Sequence, residues 1–203
     1  STRACKLCLL LCDFQFAQVI VPYPGAAIAC DESLKSSIDN IYVVGVANGK
    51  AMLAHTAFKE AEIAVANICG GQRTMRYDCI PSCIYMEPEI ASVGLTEAQA
   101  RERCGNDVKI GRFPLYANSK SLIDGGTDGM MKVILDSKYG EILGVHLFGA
   151  HTTEMIAQFA TAMQSELTAE EVLETVFPHP SVSEGLGEAF LSAWKGSAIH
   201  NVG

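Results

Sequence analysis

The chain has 203 residues, of which 49% are hydrophobic and 19% charged, and a net charge of −8. That length and apolar content can bury a core and exclude wholesale disorder. The acidic balance argues against nucleic acid or an anionic membrane surface as the main partner, since both are bound by clustered Lys and Arg. No apolar run reaches the length of a membrane-spanning helix.

Residues 1–24 are apolar and cysteine-rich, end in the breaker string Val21-Pro22-Tyr23-Pro24-Gly25, and carry no assignment. Cys5-x2-Cys8-x3-Cys12 is separated by Lys and Leu rather than by the polar, glycine-rich knuckle of a metal site, so no metal is expected there. The eight cysteines, in a chain with a good core and no secretion signal, read as free thiols in a reducing compartment. Residues 41–44 form a short continuous apolar run closed by Gly45, the pattern of a buried strand. A glycine-bearing loop follows over residues 45–49. "AMLAHTAFKEAEIAVANICGG" then reads as a helix ended by Gly70-Gly71, with Leu53, Ala57, Ala61, Ala64 and Ile68 on one face. A strand, a Gly loop and a helix N-terminus can together present backbone N–H groups to an anion or an electron-rich ring edge.

Composition shifts near residues 72–77, where we place a domain boundary. Beyond it the pattern alternates. Ala91, Val93 and Leu95 share one face of a strand, and Thr96-x-x-Gln99 caps a polar helix ending at Cys104-Gly105. Residues 108–113 are extended. Met131, Val133 and Leu135 alternate with Lys132, and "DSKYGE" turns the chain into "ILGVHLFG", a hairpin signal. Ile156, Phe159, Ala160 and Met163 form a helix face, and Thr168-x-x-Glu171 caps a further helix. A last helix from Glu184 spaces Leu186, Phe190 and Trp194 on one face, which suggests an apolar surface for a second copy. The whole predicts an α+β fold with helices packed on an antiparallel sheet.

"FPHPSVSEGLGEAF" holds the most pointed local question. Pro178 and Pro180 stiffen the loop around His179. Ser181-x-x-Glu184 has the form of a capping box, which needs no chemistry. Glu184 could equally orient His179 as a general base. Both roles are compatible in one residue, and the spacing leaves them open. His146, in a strand, and His151, in a loop, read as structural, as does the His55 side chain.

Several motifs in order resemble one family. "HPSVSE" is similar to the His-Pro-Ser/Thr-x-Ser-Glu motif of the dimeric flavin disulfide reductases, and "FPLYANSK", "DGMMKVILD", "EILGVHLFG" and "KGSAIH" resemble the dihydrolipoamide dehydrogenases among them. Upstream, Cys30-Asp31-Glu32, "IYVVG" and "AMLAHTA" resemble the end of that family's flavin domain. The resemblance implies that residues 25–72 end an FAD-binding domain, as a terminal strand–helix piece, and that 73–203 form a C-terminal dimerisation (interface) domain. It implies a homodimer, FAD and NAD as cofactors of the complete enzyme, and a lipoyl domain of a 2-oxoacid dehydrogenase or glycine cleavage complex as partner. It places the enzyme in the cytoplasm or the mitochondrial matrix. It assigns His179 as catalytic base, Glu184 as its orienting carboxylate, and Met52, Leu53, Ala54 and His55 as the segment beside the flavin ring.

Three departures qualify this. Val46 stands where the family has an aspartate near the flavin's ribityl–phosphate region. Phe177 stands where lipoamide dehydrogenases often have a second histidine. Neither a Gly-x-Gly-x-x-Gly loop nor a Cys-x4-Cys pair occurs. The expectation is therefore a C-terminal part of such an enzyme, inactive alone and retaining no cofactor. A glutathione or mercuric reductase origin, or a free-standing dimerisation or binding module, are the alternatives.

Overall fold

A computed structural model describes residues 27–200, and the chain divides into two units between Tyr77 and Asp78. Residues 73–77 belong to the first of these. Within it Met75 N–H donates to the Glu32 carbonyl at 2.9 Å, and Arg73 N–H to Asn67 Oδ1 at 2.7 Å.

In the first unit, residues 41–44 do not form the expected strand. Tyr42 makes a single antiparallel bridge with Lys35, and Val43 N–H reaches the Leu34 carbonyl at 2.9 Å. The apolar run reports burial, with Val43 only 2% exposed. A ladder also needs a straight neighbour, and here the neighbour is a tight turn with Leu34 and Asn40 at positive φ. The expected loop after it is a 3-10 helix, Gly45–Asn48. Helix α1, Ala54–Ile68, forms as the sequence predicts, but its buried face is Thr56, Glu60, Ile63 and Ala64. Leu53, Ala57, Ala61 and Ile68 are half-buried instead. The helix is turned by Glu60. This carboxylate is fully buried and accepts from Gly45 N–H at 2.5 Å, Asn48 Nδ2 at 2.8 Å and Tyr77 Oη at 2.7 Å. A buried charge must find such donors, and that requirement outweighs an alanine-rich stripe.

The second unit is built on strands β1 (Ser82–Ile84), β2 (Glu89–Gly94), β3 (Val108–Pro114), β4 (Met130–Asp136) and β5 (Ile142–Gly149). They form one antiparallel sheet in the order β1-β2-β5-β4-β3. Strands β4 and β5 are the predicted hairpin, with Val133 opposite Val145. The helices are α2 (Glu97–Cys104), α3 (Ser119–Asp124), α4 (Thr152–Gln164), α5 (Ala169–Leu173) and α6 (Glu184–Lys195). The fold is therefore α+β. Thr96 with Gln99 and Thr168 with Glu171 make the predicted capping boxes.

Period-2 alternation divides the sheet's apolar residues between two faces. Val93, Phe113, Met131, Val133, Val145 and Leu147 pack with α4 and α6 in the main core. Ile134, Val108 and Leu143 pack with Ala100 of α2 in a smaller cluster. Leu95 joins that smaller cluster rather than Ala91 and Val93, because Gly94 at φ +79 ends the strand and redirects the chain. Helix α6 lies close on β3. A Cβ at Gly111 would sit 1.9 Å from the Ala189 carbonyl, so glycine permits the approach. Leu186 and Phe190 are fully buried, and the Phe190 ring stacks on Phe159 at 5.4 Å between centroids. The α6 face expected to meet a second copy is thus used inside this chain. Trp194 also packs against that core, with the Lys109 ammonium 4.1 Å from its ring centroid. Among the described residues no helix is long and apolar enough to cross a membrane.

Candidate functional site

The loop between α5 and α6 carries His179. Phe177 packs against the first turn of α6, close enough that a Cβ on Gly187 would meet its ring at 3.0 Å. Pro178 and Pro180 flank the histidine, and helix α6 opens at Glu184. One oxygen of Glu184 lies 2.8 Å from His179 Nδ1, and the other accepts Ser181 N–H at 2.8 Å. An ionised carboxylate only accepts, so Nδ1 carries the proton in the neutral ring and Nε2 holds the lone pair. The His179 side chain is 71% exposed and that of Glu184 29%. Burial works to raise the Glu184 carboxyl. The Ser181 N–H, the His179 bond and charge, and the charge of His200 outweigh it and hold the group below the ordinary carboxylate range.

The capping box read from Ser181-x-x-Glu184 is only half present. Glu184 takes the Ser181 N–H, but Ser181 Oγ is buried without a hydrogen-bond partner, and the residue before the helix is Ser183, whose side chain caps nothing. The Ser181 carbonyl instead accepts from Asn118 Nδ2 at 3.0 Å. Asn118 is 3% exposed and its Oδ1 accepts the Ser121 N–H at 2.9 Å, so it is itself fixed at the start of α3. The Ser181 residue is gripped at both of its backbone groups, which stiffens the loop that carries His179.

Beside this pair lies an open recess of about 70 Å³, walled by Phe113, Asn118, His179, Glu184, Glu188 and His200. Glu188 and His200 form a second carboxylate–imidazole pair, with His200 Nδ1 at 2.7 Å from Glu188 Oε1. Sequence reasoning found His179 and Glu184 and missed Asn118, Glu188 and His200. The four-residue step from Glu184 to Glu188 was a legible signal, since it puts both on one helix face. Asn118 stands in "FPLYANSK" and His200 in "KGSAIH", but local spacing does not say that either side chain meets this recess.

Met52, Leu53, Ala54 and His55 lie together in the first unit, where α1 begins. Leu53 precedes the helix without a side-chain cap, and Met52, Ala54 and His55 are exposed. The first-turn N–H groups of any helix have no intrahelical acceptor. Thr56 Oγ1, in the same turn, is buried with no partner. This donor set suits an electron-rich ring edge such as a flavin carbonyl. Val46 is 55% exposed on the preceding 3-10 turn and offers no polar contact. His146 Nε2 lies 2.8 Å from the Leu95 carbonyl, and His151 precedes α4 at φ 64; neither lines the recess. Among the described residues no three His, Cys, Asp or Glu side chains cluster as a metal site, and Cys30, Cys69, Cys83 and Cys104 are free thiols. Cys5, Cys8 and Cys12 lie outside the described residues.

Residues 80–190 match the model of the pyridine nucleotide-disulphide oxidoreductase dimerisation domain. The chain is 44% identical over 169 residues to the dihydrolipoyl dehydrogenase of Rhizobium etli, covering 82% of this chain and 35% of that protein. It is 37% identical over 177 residues to the mitochondrial dihydrolipoyl dehydrogenase of Sus scrofa, covering 87% of this chain and 35% of that protein. The chain thus spans about a third of the length of these relatives. Among solved structures, the HOCl-induced flavoprotein disulfide reductase RclA from Escherichia coli superposes with a TM-score of 0.74 at 28% identity, over 85% of this chain and 40% of that one. LpdA from Mycobacterium tuberculosis gives a TM-score of 0.78 at 24% identity, over 84% of this chain and 37% of that one, a likeness of fold.

Proposed function

The chain belongs to the pyridine nucleotide-disulphide oxidoreductase family through its dimerisation domain, and from that premise we propose that it supplies the general base of a dihydrolipoamide-oxidising disulfide reductase. The observation that carries the reading is the 2.8 Å contact between His179 Nδ1 and Glu184, which leaves Nε2 free on an exposed ring.

The chemistry follows from which species reacts. A thiol attacks a disulfide only as its thiolate, so the substrate's S–H proton must go somewhere. His179 Nε2 takes it. The imidazolium that forms is stabilised by the Glu184 charge at Nδ1. The thiolate then forms a new S–S bond with one sulfur of a disulfide carried elsewhere in the complete enzyme, and the other sulfur leaves as thiolate. His179 holds the proton until a sulfur or water reclaims it. The grip on Ser181 by Glu184 and Asn118 keeps the ring in place through this cycle. Flavin, when bound in the complete enzyme, supplies the two-electron acceptor that NAD later empties. In this chain the turn of Met52, Leu53, Ala54 and His55 would hold the edge of its ring. Homodimerisation through the dimerisation domain, and docking of a lipoyl domain, complete the proposal.

The test uses a complete enzyme carrying this sequence. His179→Gln lowers turnover of dihydrolipoamide by about 10² or more, within the usual range for a lost general base, while the melting temperature holds. Glu184→Gln costs less, because glutamine still accepts a hydrogen bond but lends no charge. Turnover of His179→Gln within a few-fold of the parent ends this reading.

A further inference from the structure

Glu184 and Glu188 stand one turn apart on the same face of α6, where two carboxylates repel each other. Each has found its own donors. Those of Glu188 all come from the segment that follows the helix: Ile199 N–H at 2.8 Å, His200 N–H at 3.4 Å and the His200 ring at 2.7 Å. Glu188 is 8% exposed, while the His200 ring is 67% exposed and lines the same recess as His179. Helix α6 ends at Gly196 in the left-handed conformation, which lets the chain double back to make these contacts.

We propose that Glu188 is a positioning residue for the His179–Glu184 pair: it latches residues 199–200 against α6, stands His200 beside Glu184, and keeps Glu184 turned to His179. The latch acts in two ways. It commits the charge of Glu188 to the 199–200 segment, so that Glu184 is free to face the loop. It also places a second imidazole, cationic when protonated, near the carboxylate that must stabilise a protonated His179. His200 is also one of the charges that hold Glu184 ionised. The inference rests on the base reading of His179, but its direct readout is independent of turnover.

That readout is the ratio of Nδ1–H to Nε2–H tautomers at His179, taken from ring 15N shifts of the 203-residue chain at a pH where the rings are neutral. The parent holds His179 and His200 in the Nδ1–H form. Glu188→Ala frees His200 and lowers the His179 ratio by about five- to tenfold, the worth of a weakened hydrogen bond. Glu188→Gln keeps an acceptor for the 199–200 backbone and restores most of the ratio. If Glu188→Ala does not fold, His200→Ala gives the same reading, because it removes one wall and leaves the Ile199 bond. A His179 ratio unchanged in the folded Glu188→Ala chain, or in His200→Ala where that variant stands in, overturns the proposal and leaves the base reading standing. Failure of the base reading shows instead as undiminished turnover in His179→Gln with the tautomer ratios as expected.

Discussion

Two glutamates at comparable places, Glu60 in the first unit and Glu184 in the second, have different partners and burial. Both accept from a backbone N–H and from a side chain. Glu60 is fully buried, and its donors are a peptide, an amide and a phenol. Burial, then the bond to Glu60, pushes the Tyr77 phenol up from its ordinary value, so it stays a donor. None of the three donors gives up its proton near neutral pH, and the carboxylate is a structural hub. Glu184 is partly exposed and faces the imidazole of His179. In the function proposed above, the partner, more than the carboxylate, separates a fold-holding group from a chemical one. The surroundings make this division possible. The second unit is held by an apolar core around Phe190, Leu186 and the sheet, of which Glu184 is not a member.

That contrast can be broken by mutation. The largest effect is expected from Phe190→Ala, which opens a cavity against Phe159 and costs about 3–5 kcal/mol. It should melt the second unit, and the recess with it. A loss under about 1 kcal/mol in denaturant titration, less than the typical cost of such a truncation, would deny the core its role. Glu60→Ala comes next, at about 3 kcal/mol, because it strands buried donors from Gly45, Asn48 and Tyr77. Hydrogen exchange should show the loss in the first unit. Glu184→Ala in the same experiment should cost only about 1 kcal/mol, the scale of a lost cap. Equal costs for the two glutamates would erase the distinction drawn here.

The smallest effect comes from acid. Glu97 bonds to Lys132 and Arg101 and pairs with Arg112, which together hold its carboxyl down at about 2. Its folded value lies below the unfolded one, so the folded chain binds fewer protons between them. This contribution is present above the unfolded value and is lost as pH falls through that window towards about 2. Exposure to solvent limits the worth to about 1 kcal/mol or less. The parent should therefore lose more melting temperature between pH 5 and pH 3 than Glu97→Gln does. Parallel losses would show that the cluster stabilises nothing.

The sequence by itself determined the α+β class, the β4–β5 hairpin and two complete capping boxes. Each is written in local spacing, where period 2, period 3.6 or a three-residue cap fixes the geometry within a few residues. The spacing of His179 and Glu184 left capping and pairing both open. Tertiary structure decided what depends on distant partners. Residues 41–44 became an isolated bridge because a strand needs a neighbour that local pattern cannot specify. Helix α1 turned towards Glu60 because a buried charge seeks donors wherever the chain supplies them. The face of Leu186 and Phe190 went to the chain's own core, since periodicity marks a face as apolar without saying what covers it. Asn118 gripping Ser181 across 63 residues, and His200 returning to Glu188, came from the same cause. Side chains far apart in sequence meet only when a sheet and a helix end bring them to one wall, and no local spacing records that meeting.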